Sequence, residues 1–237
     1  MDKTDQLYAH LRPTASRPLL GLTVLVVEDS RFACDAMRLL CLRSGARIRR
    51  ADCIASAKRH LKVYRPSAVI IDLGLPDGSG AELIAELAAA VPRVDVILGT
   101  SGDSFGEEVA LAAGADGFLA KPIASVGAFQ QAVLKVLPAE RHPPGPRVVC
   151  RDAVDPDPVA YRDDMAHAAD ILEATDGSTV DYVAQFLSGV ARSAGDDMLY
   201  SAAISLAEAR KRREPGMPEL AQVTALVQDR LAQRAAI

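Results

Sequence analysis

The sequence predicts an α/β domain, an open doubly wound sheet of five parallel strands, followed by an all-α domain of four helices. Three observations carry this reading. From Gly21 to about residue 138, short β-rich runs alternate five times with helical patterns, and a run of βα units makes one doubly wound layer structure. The runs Val24-Leu25-Val26-Val27 and Ala68-Val69-Ile70-Ile71 are apolar without alternation, as strands buried on both faces of a parallel sheet are. Past a proline-rich stretch the β signal disappears, and four amphipathic helical patterns follow.

The elements follow in order. Residues 1–20 hold Pro13 and Pro18 and no sustained pattern; they read as a mobile arm with one short helix near Leu7–Leu11. Strands are predicted at 22–27, 46–51, 67–71, 94–98 and 116–119, and helices at 31–44, 53–63, 79–90, 104–113 and 123–137. Ser30 and Ser79 stand where N-caps belong and Gly45 and Gly114 where C-terminal caps belong. The second strand alternates and exposes Arg47, Arg49 and Arg50, which marks a sheet edge. Pro138, Pro143, Pro144, Pro146, Pro156 and Pro158 crowd the next stretch, and proline at this density favours a semi-rigid extended linker over 139–157. Asp157-Pro158 then starts a helix. The four helical patterns run over 158–175, 179–194, 196–212 and 218–235. Their apolar stripes are Met165, Ala169 and Leu172; Val183, Phe186, Leu187 and Val190; Leu199, Ala203 and Leu206; Leu220, Val223, Val227 and Leu231. Gly177, Gly195 and Pro215-Gly216 separate them, and such short turns favour antiparallel neighbours in a bundle. The chain thus divides into an arm (1–20), an α/β domain (21–138), a linker (139–157) and a helical domain (158–237).

Composition narrows the function. The 237 residues carry a net charge of −4, so the chain has no general pull toward nucleic acid or anionic membrane. The apolar runs are too short for a bilayer span, and the N-terminus lacks an apolar signal region; a cytoplasmic protein is expected. Cys34, Cys41, Cys53 and Cys150 show no metal-ligand spacing and read as thiols in a reducing compartment. Cys34 and Cys41 are placed on one helix face, which fits core packing.

The chemistry gathers at strand ends. Glu28-Asp29 closes the first apolar run. Asp72 closes the third and opens the loop Leu73-Gly74-Leu75-Pro76-Asp77-Gly78-Ser79-Gly80. Thr100 follows the fourth run, and Lys121-Pro122 follows Gly117-Phe118-Leu119-Ala120. The C-terminal ends of parallel strands form one crevice, where such sheets place their sites. Carboxylates there would bind a hard divalent cation, and a cation with a lysine would hold a phosphoryl group.

These elements, in this order and on these strand ends, resemble the receiver domain of two-component response regulators, a flavodoxin-like fold; the resemblance covers residues 21 to about 138. It implies that Asp72 is the phosphoacceptor, serving a histidine kinase or phosphotransfer protein. Mg²⁺ would be held by Glu28, Asp29, Asp72 and the backbone carbonyl of Gly74. Lys121 would pair with a phosphoryl oxygen, fixed toward the crevice by a cis bond before Pro122. Thr100 would hydrogen-bond another such oxygen, and Phe118 would be the switch aromatic. The protein would be a phosphoacceptor and not an enzyme beyond slow self-dephosphorylation. Gly74 and Gly102, each two residues past a site residue, depart from the polar groups many family members carry there, so nothing would orient water for hydrolysis.

Plainer readings stand beside these. A lone strand-end Asp is usually a cap or a solvated residue, Lys121 alone would be a surface lysine, Thr100 a loop hydroxyl and Phe118 a core residue. Gly-Ser-Gly at 78–80 serves chain reversal more simply than phosphate binding, since no Walker lysine follows. In the helical half, 9 Lys and Arg face 15 Asp and Glu from Arg151 on, a net of −6, leaving +2 for residues 1–150. A DNA-binding face is normally basic; the basic run Arg210-Lys211-Arg212-Arg213 fits complementation of a helix C-terminus equally well. His167 lacks the lysine and glycine of a phosphotransfer site, with Asp170 and Ile171 instead, and reads as a solvated histidine. The helical domain is therefore expected to bind protein, as a homodimer or to an effector. Nucleic acid and membrane are not expected partners, and a divergent DNA-binding output is the alternative.

Overall fold

Alternation along the strands decides which side each residue covers. In β1 (Thr23–Val27) and β3 (Ala68–Asp72) every residue but Thr23 is buried, and successive side chains enter opposite layers. Val24, Val26 and Ile70 pack with Met37, Leu40 and Phe129 in one layer. Leu25, Val27, Val69 and Ile71 pack with Leu83, Ile84 and Ala110 in the other. Full burial of each such aliphatic side chain contributes about 1.5–3 kcal/mol. The structure, a computed structural model, describes residues 11–123, 125–146, 149, 152–173 and 177–233, without the side chains of 177 and 178. The expected helix near Leu7–Leu11 and Cys150 fall outside these, apart from Leu11 itself.

The remaining elements of the first unit are α1 (Arg31–Ser44, from Cys34 on), β2 (Arg47–Ala51), α2 (Ile54–Val63), a two-rung hairpin of β4 (Gly74–Leu75) and β5 (Gly78–Ser79), α3 (Gly80–Ala89), β6 (Val96–Ser101), α4 (Gly106–Ala112), β7 (Gly117–Ala120) and α5 (Val126–Val136). The sheet order is β2-β1-β3-β6-β7, all parallel, with β2 at an edge as its arginines predict. Helices α1 and α5 line one layer and α2, α3 and α4 the other. Ser30 does cap its helix, its hydroxyl accepting from Ala33 N at 3.0 Å. Ser79 makes no side-chain cap bond, because it is a rung of the hairpin, paired with Gly74. Gly45 and Gly114 take φ of 84° and 100°, the left-handed turn of a helix end. Leu19, within the arm expected over 1–20, is fully buried in the core that α1 and α5 line, and its N–H donates to the Ser44 carbonyl at 2.9 Å. Val154, in the proline-rich stretch, is buried in the same core, and the Asp152 carbonyl accepts from Val126 N.

The second unit gathers Pro156–Ile237 with Ser30–Ala33. Among its described residues four helices build it: α6 (Pro158–Glu173), α7 (Gly177–Ala194), α8 (Asp197–Lys211) and α9 (Met217–Ala232). Neighbours in sequence pack side by side and α9 closes on α6. The predicted stripes meet in one core, although Leu172, Leu220 and Leu231 stay partly exposed at its margin. Asp196 caps α8 through Leu199 N and also accepts from Tyr161 and from both Nε and Nη2 of Arg230. Asp164, buried, accepts from the Ser30 hydroxyl and from the N–H groups of Arg31 and Phe32. His167 is exposed and lies edge-on to Phe186. No helix among the described residues is long and apolar enough to cross a membrane.

Candidate functional site: an acidic cluster with a buried lysine

Strand register brings the site together. β1 ends at Val27, and Glu28 stays in line because its N–H donates to the Ala51 carbonyl at 2.9 Å. Asp72 is the last residue of β3, directly beside Thr100 of β6 in the ladder. Lys121 follows β7, its N–H on the Ser101 carbonyl at 2.9 Å, and the Lys121–Pro122 bond is cis. Carboxylate oxygens of Glu28, Asp29 and Asp72 all lie within 4.8 Å of one another. The Lys121 ammonium bridges two of them, 2.6 Å from Glu28 Oε2 and 3.2 Å from Asp72 Oδ1.

Glu28, Asp72 and Lys121 are all buried. Burial pushes the Asp72 carboxyl up to about 7 against the pull of Lys121, with Glu28 adding to the rise. Burial alone would lower the Lys121 ammonium, but Asp72 and Glu28 outweigh it and hold it above its ordinary value. One ammonium facing three carboxylates leaves the cluster short of positive charge. Hard oxygen donors in an under-neutralised group fit a small divalent cation, and Mg²⁺ uses few carboxylates at once.

The other expected site residues are placed as follows. Gly74 lies two residues past Asp72 in β4. Thr100 lies inside β6, not after it: the strand runs on to Ser101, because Thr100 and Ser101 still pair with Leu119 and Ala120 of β7. The Thr100 hydroxyl is fully buried and donates to the Leu119 carbonyl at 2.7 Å. Phe118 is half-buried, its ring filling space left by two glycines. A Cβ at Gly106 would stand 3.0 Å from Phe118 Cζ, and one at Gly99 3.4 Å from Phe118 Cδ2.

Two residues of the loop from Leu73 to Gly80 make contacts that the motif does not announce. Gly80 touches Asp72 itself, since a Cβ there would fall 1.9 Å from the Asp72 carbonyl oxygen. Asp77 accepts from Ile54 N at 2.8 Å and Ala55 N at 2.9 Å, the first amides of α2. The available signal is Cys53 at the N-cap of α2, a residue whose side chain makes no cap bond.

The family model of the response regulator receiver domain matches residues 24–133. Residues 24–133 are a receiver domain of that family. The receiver is 34% identical over 109 residues to the KDP operon transcriptional regulatory protein KdpE of Escherichia coli K12, covering 45% of this chain and 47% of KdpE. It is 31% identical over 117 residues to the transcriptional regulatory protein PhoP of Escherichia coli O157:H7, covering 48% of this chain and 52% of PhoP. The chain thus spans about half the length of these relatives. Among solved structures, the chemotaxis response regulator CheY4 of Vibrio cholerae is similar at 21% identity and a TM-score of 0.45, over 49% of this chain and 98% of CheY4. The receiver domain of sensor histidine kinase PA1611 from Pseudomonas aeruginosa PAO1, which has magnesium in its active site cleft, is similar at 24% identity and a TM-score of 0.44, over 48% of this chain and 96% of that one. Both named relatives are transcriptional regulators, so the expectation that nucleic acid is not a partner finds no support in them.

Proposed function

We propose that the protein is a phosphorylation-controlled regulator in which Asp72 accepts a phosphoryl group from a histidine kinase or phosphotransfer protein. The single observation that carries this is the cluster of buried Asp72, Glu28 and Lys121 with half-buried Asp29. An Asp72 oxygen attacks the phosphorus of a phosphohistidine. The new P–O bond forms as the P–N bond breaks, and the imidazole nitrogen keeps the electron pair. Glu28, Asp29, Asp72 and the Gly74 carbonyl would hold Mg²⁺, which when bound screens the repulsion between carboxylate and phosphoryl oxygens. Lys121 is already within reach of Asp72 and would pair with a phosphoryl oxygen. The Thr100 hydroxyl must leave the Leu119 carbonyl to donate to another, and Phe118, whose ring lies against neighbouring Gly99, would follow. Acetyl phosphate is the test donor: it should label the protein with Mg²⁺ present and fail when the metal is chelated. Asp29→Asn should lower labelling at least tenfold, since one of few charged ligands is lost. Equal labelling in chelator would sink the cation-assisted reading.

For the output we propose that the helical domain switches protein–protein contacts, as a dimer or with an effector, with residues 139–157 as the connecting segment. The net charge of −6 from Arg151 on supports this. Within the only basic run of that half, Arg210 pairs with Asp181 and Arg212 with Glu214, which lowers its value as a phosphate-binding surface. The names of the KdpE and PhoP relatives favour the second reading, a transcriptional regulator whose divergent helical output binds DNA.

A further inference from the structure

We infer that Asp77 is a positioning residue: by clamping the tip of the Asp72 loop to helix α2 it holds the Gly74 carbonyl where a divalent cation can use it, and it ties cation binding to that helix. This rests on the reading of Asp72, Asp29 and Gly74 as a cation-assisted site. The loop is fixed at three places. At its inner end Gly80 N donates to the Leu73 carbonyl at 3.0 Å, and only a glycine fits there, because a Cβ would stand 1.9 Å from Asp72 O and 2.8 Å from Asp72 C. Between the ends, Gly74 pairs with Ser79 and Leu75 with Gly78. At the outer tip, the two oxygens of Asp77 each take one amide of α2, Ile54 N at 2.8 Å and Ala55 N at 2.9 Å.

The clamp serves both partners. Helix α2 begins at Cys53 without a side-chain cap of its own, so Asp77 supplies the acceptors that its first turn lacks, with a charge favoured at a helix N-terminus. The Ile54 side chain lies under the turn, its Cδ1 3.1 Å from where a Cβ of Gly78 would be. Gly74 sits on the short span between Asp72 and Asp77. Releasing Asp77 frees that span, and its ordering must then be supplied when the cation binds, which lowers affinity. Linkage makes the effect reciprocal: a cation on Gly74 must strengthen the bond from Asp77 to α2 by the same factor. Asp77 is exposed, so the coupling belongs at the low end of the usual range.

The experiment is a Mg²⁺ titration of the unphosphorylated full chain, followed by backbone amide chemical shifts, together with amide hydrogen exchange. Wild type should bind Mg²⁺ and Asp29→Asn should not. Asp77→Ala should raise Kd roughly fivefold, while Asp77→Asn, which keeps one acceptor, should restore part of the affinity. In wild type, saturating Mg²⁺ should slow exchange at Ile54 and Ala55. The exchange arm needs no variant, so a poorly folded Asp77→Ala cannot leave the question open. Binding that responds to Asp29→Asn but not to Asp77→Ala, or exchange at Ile54 and Ala55 indifferent to bound Mg²⁺, would overturn the clamp alone. A wild type that does not bind Mg²⁺ would overturn the clamp and the cation-assisted reading together.

Discussion

At the residue scale, Asp72 gains its character from conflict. Burial and Glu28 favour its neutral form, Lys121 its charged form, and the balance sits at about 7. Attack on phosphorus needs the carboxylate, and in the metal-free protein only part of Asp72 should be ionised near neutral pH, a fraction that rises with pH. A carboxyl-carbon NMR titration should place the Asp72 midpoint well above the usual carboxylate range, and Mg²⁺ should move it down, since a cation favours the anion. A metal-free midpoint near 4 would contradict the burial argument. Lys121→Met removes the opposing charge and should move the midpoint further up. A second expectation concerns lifetime. Gly74 and Gly102 offer no side chain to hold water in line with the phosphorus, and positioning is a large part of such rates. Phosphorylated wild type should therefore decay slowly after the donor is removed, and Gly74→Asn should speed the loss. Decay of wild type within seconds, or slowing by Asn, would refute the water-positioning account.

At the scale of elements, close approaches set the tolerances. Gly80→Ala must push the Asp72 backbone aside, which should cost about 2–4 kcal/mol in urea unfolding and most of the phosphate labelling. In the bundle, Asp196 joins α6, α8 and α9. Its bonds from Arg230 hold the carboxyl down at about 2, below its ordinary 3.8. A carboxyl lowered by folding contributes stability that is complete above about pH 4 and erodes as pH falls toward 2. Asp196→Ala should destabilise the bundle by roughly 2–3 kcal/mol at pH 7 and should flatten the acid side of its stability curve; an unchanged curve would remove Asp196 from the centre of that network. The sequence makes these elements legible to different depths. The strands and helices show clearly because apolar runs and helical stripes are local patterns, and the placing of Glu28, Asp72 and Lys121 follows from parallel strands ending on one side. Thr100 was expected past its strand because apolar character stops at Leu98, while pairing with β7 carries the strand to Ser101. Ser79 was expected to cap α3, but the hairpin engages it first. The clamp of Asp77 on α2 and the junction at Asp196 depend on partners 22 to 35 residues away, and no local pattern announces a partner at that distance.

At the scale of the whole molecule, the two halves differ in chemistry: one holds the carboxylate cluster around Asp72, the other a helical core in a segment of net negative charge. If the helices act on proteins, light scattering should show a change of mass on adding beryllofluoride, or a change in binding to an effector, and retention on heparin should be weak. Strong, salt-sensitive retention would favour the DNA-binding output. Both outputs depend on one event, and its location is the most direct measurement. The protein is labelled with acetyl phosphate and Mg²⁺, the acyl phosphate is trapped with borohydride, and the modified peptide is sequenced by mass spectrometry. The expected result is a single trapped site at Asp72, absent in Asp72→Asn; modification at another carboxylate, or undiminished labelling of Asp72→Asn, would contradict the account.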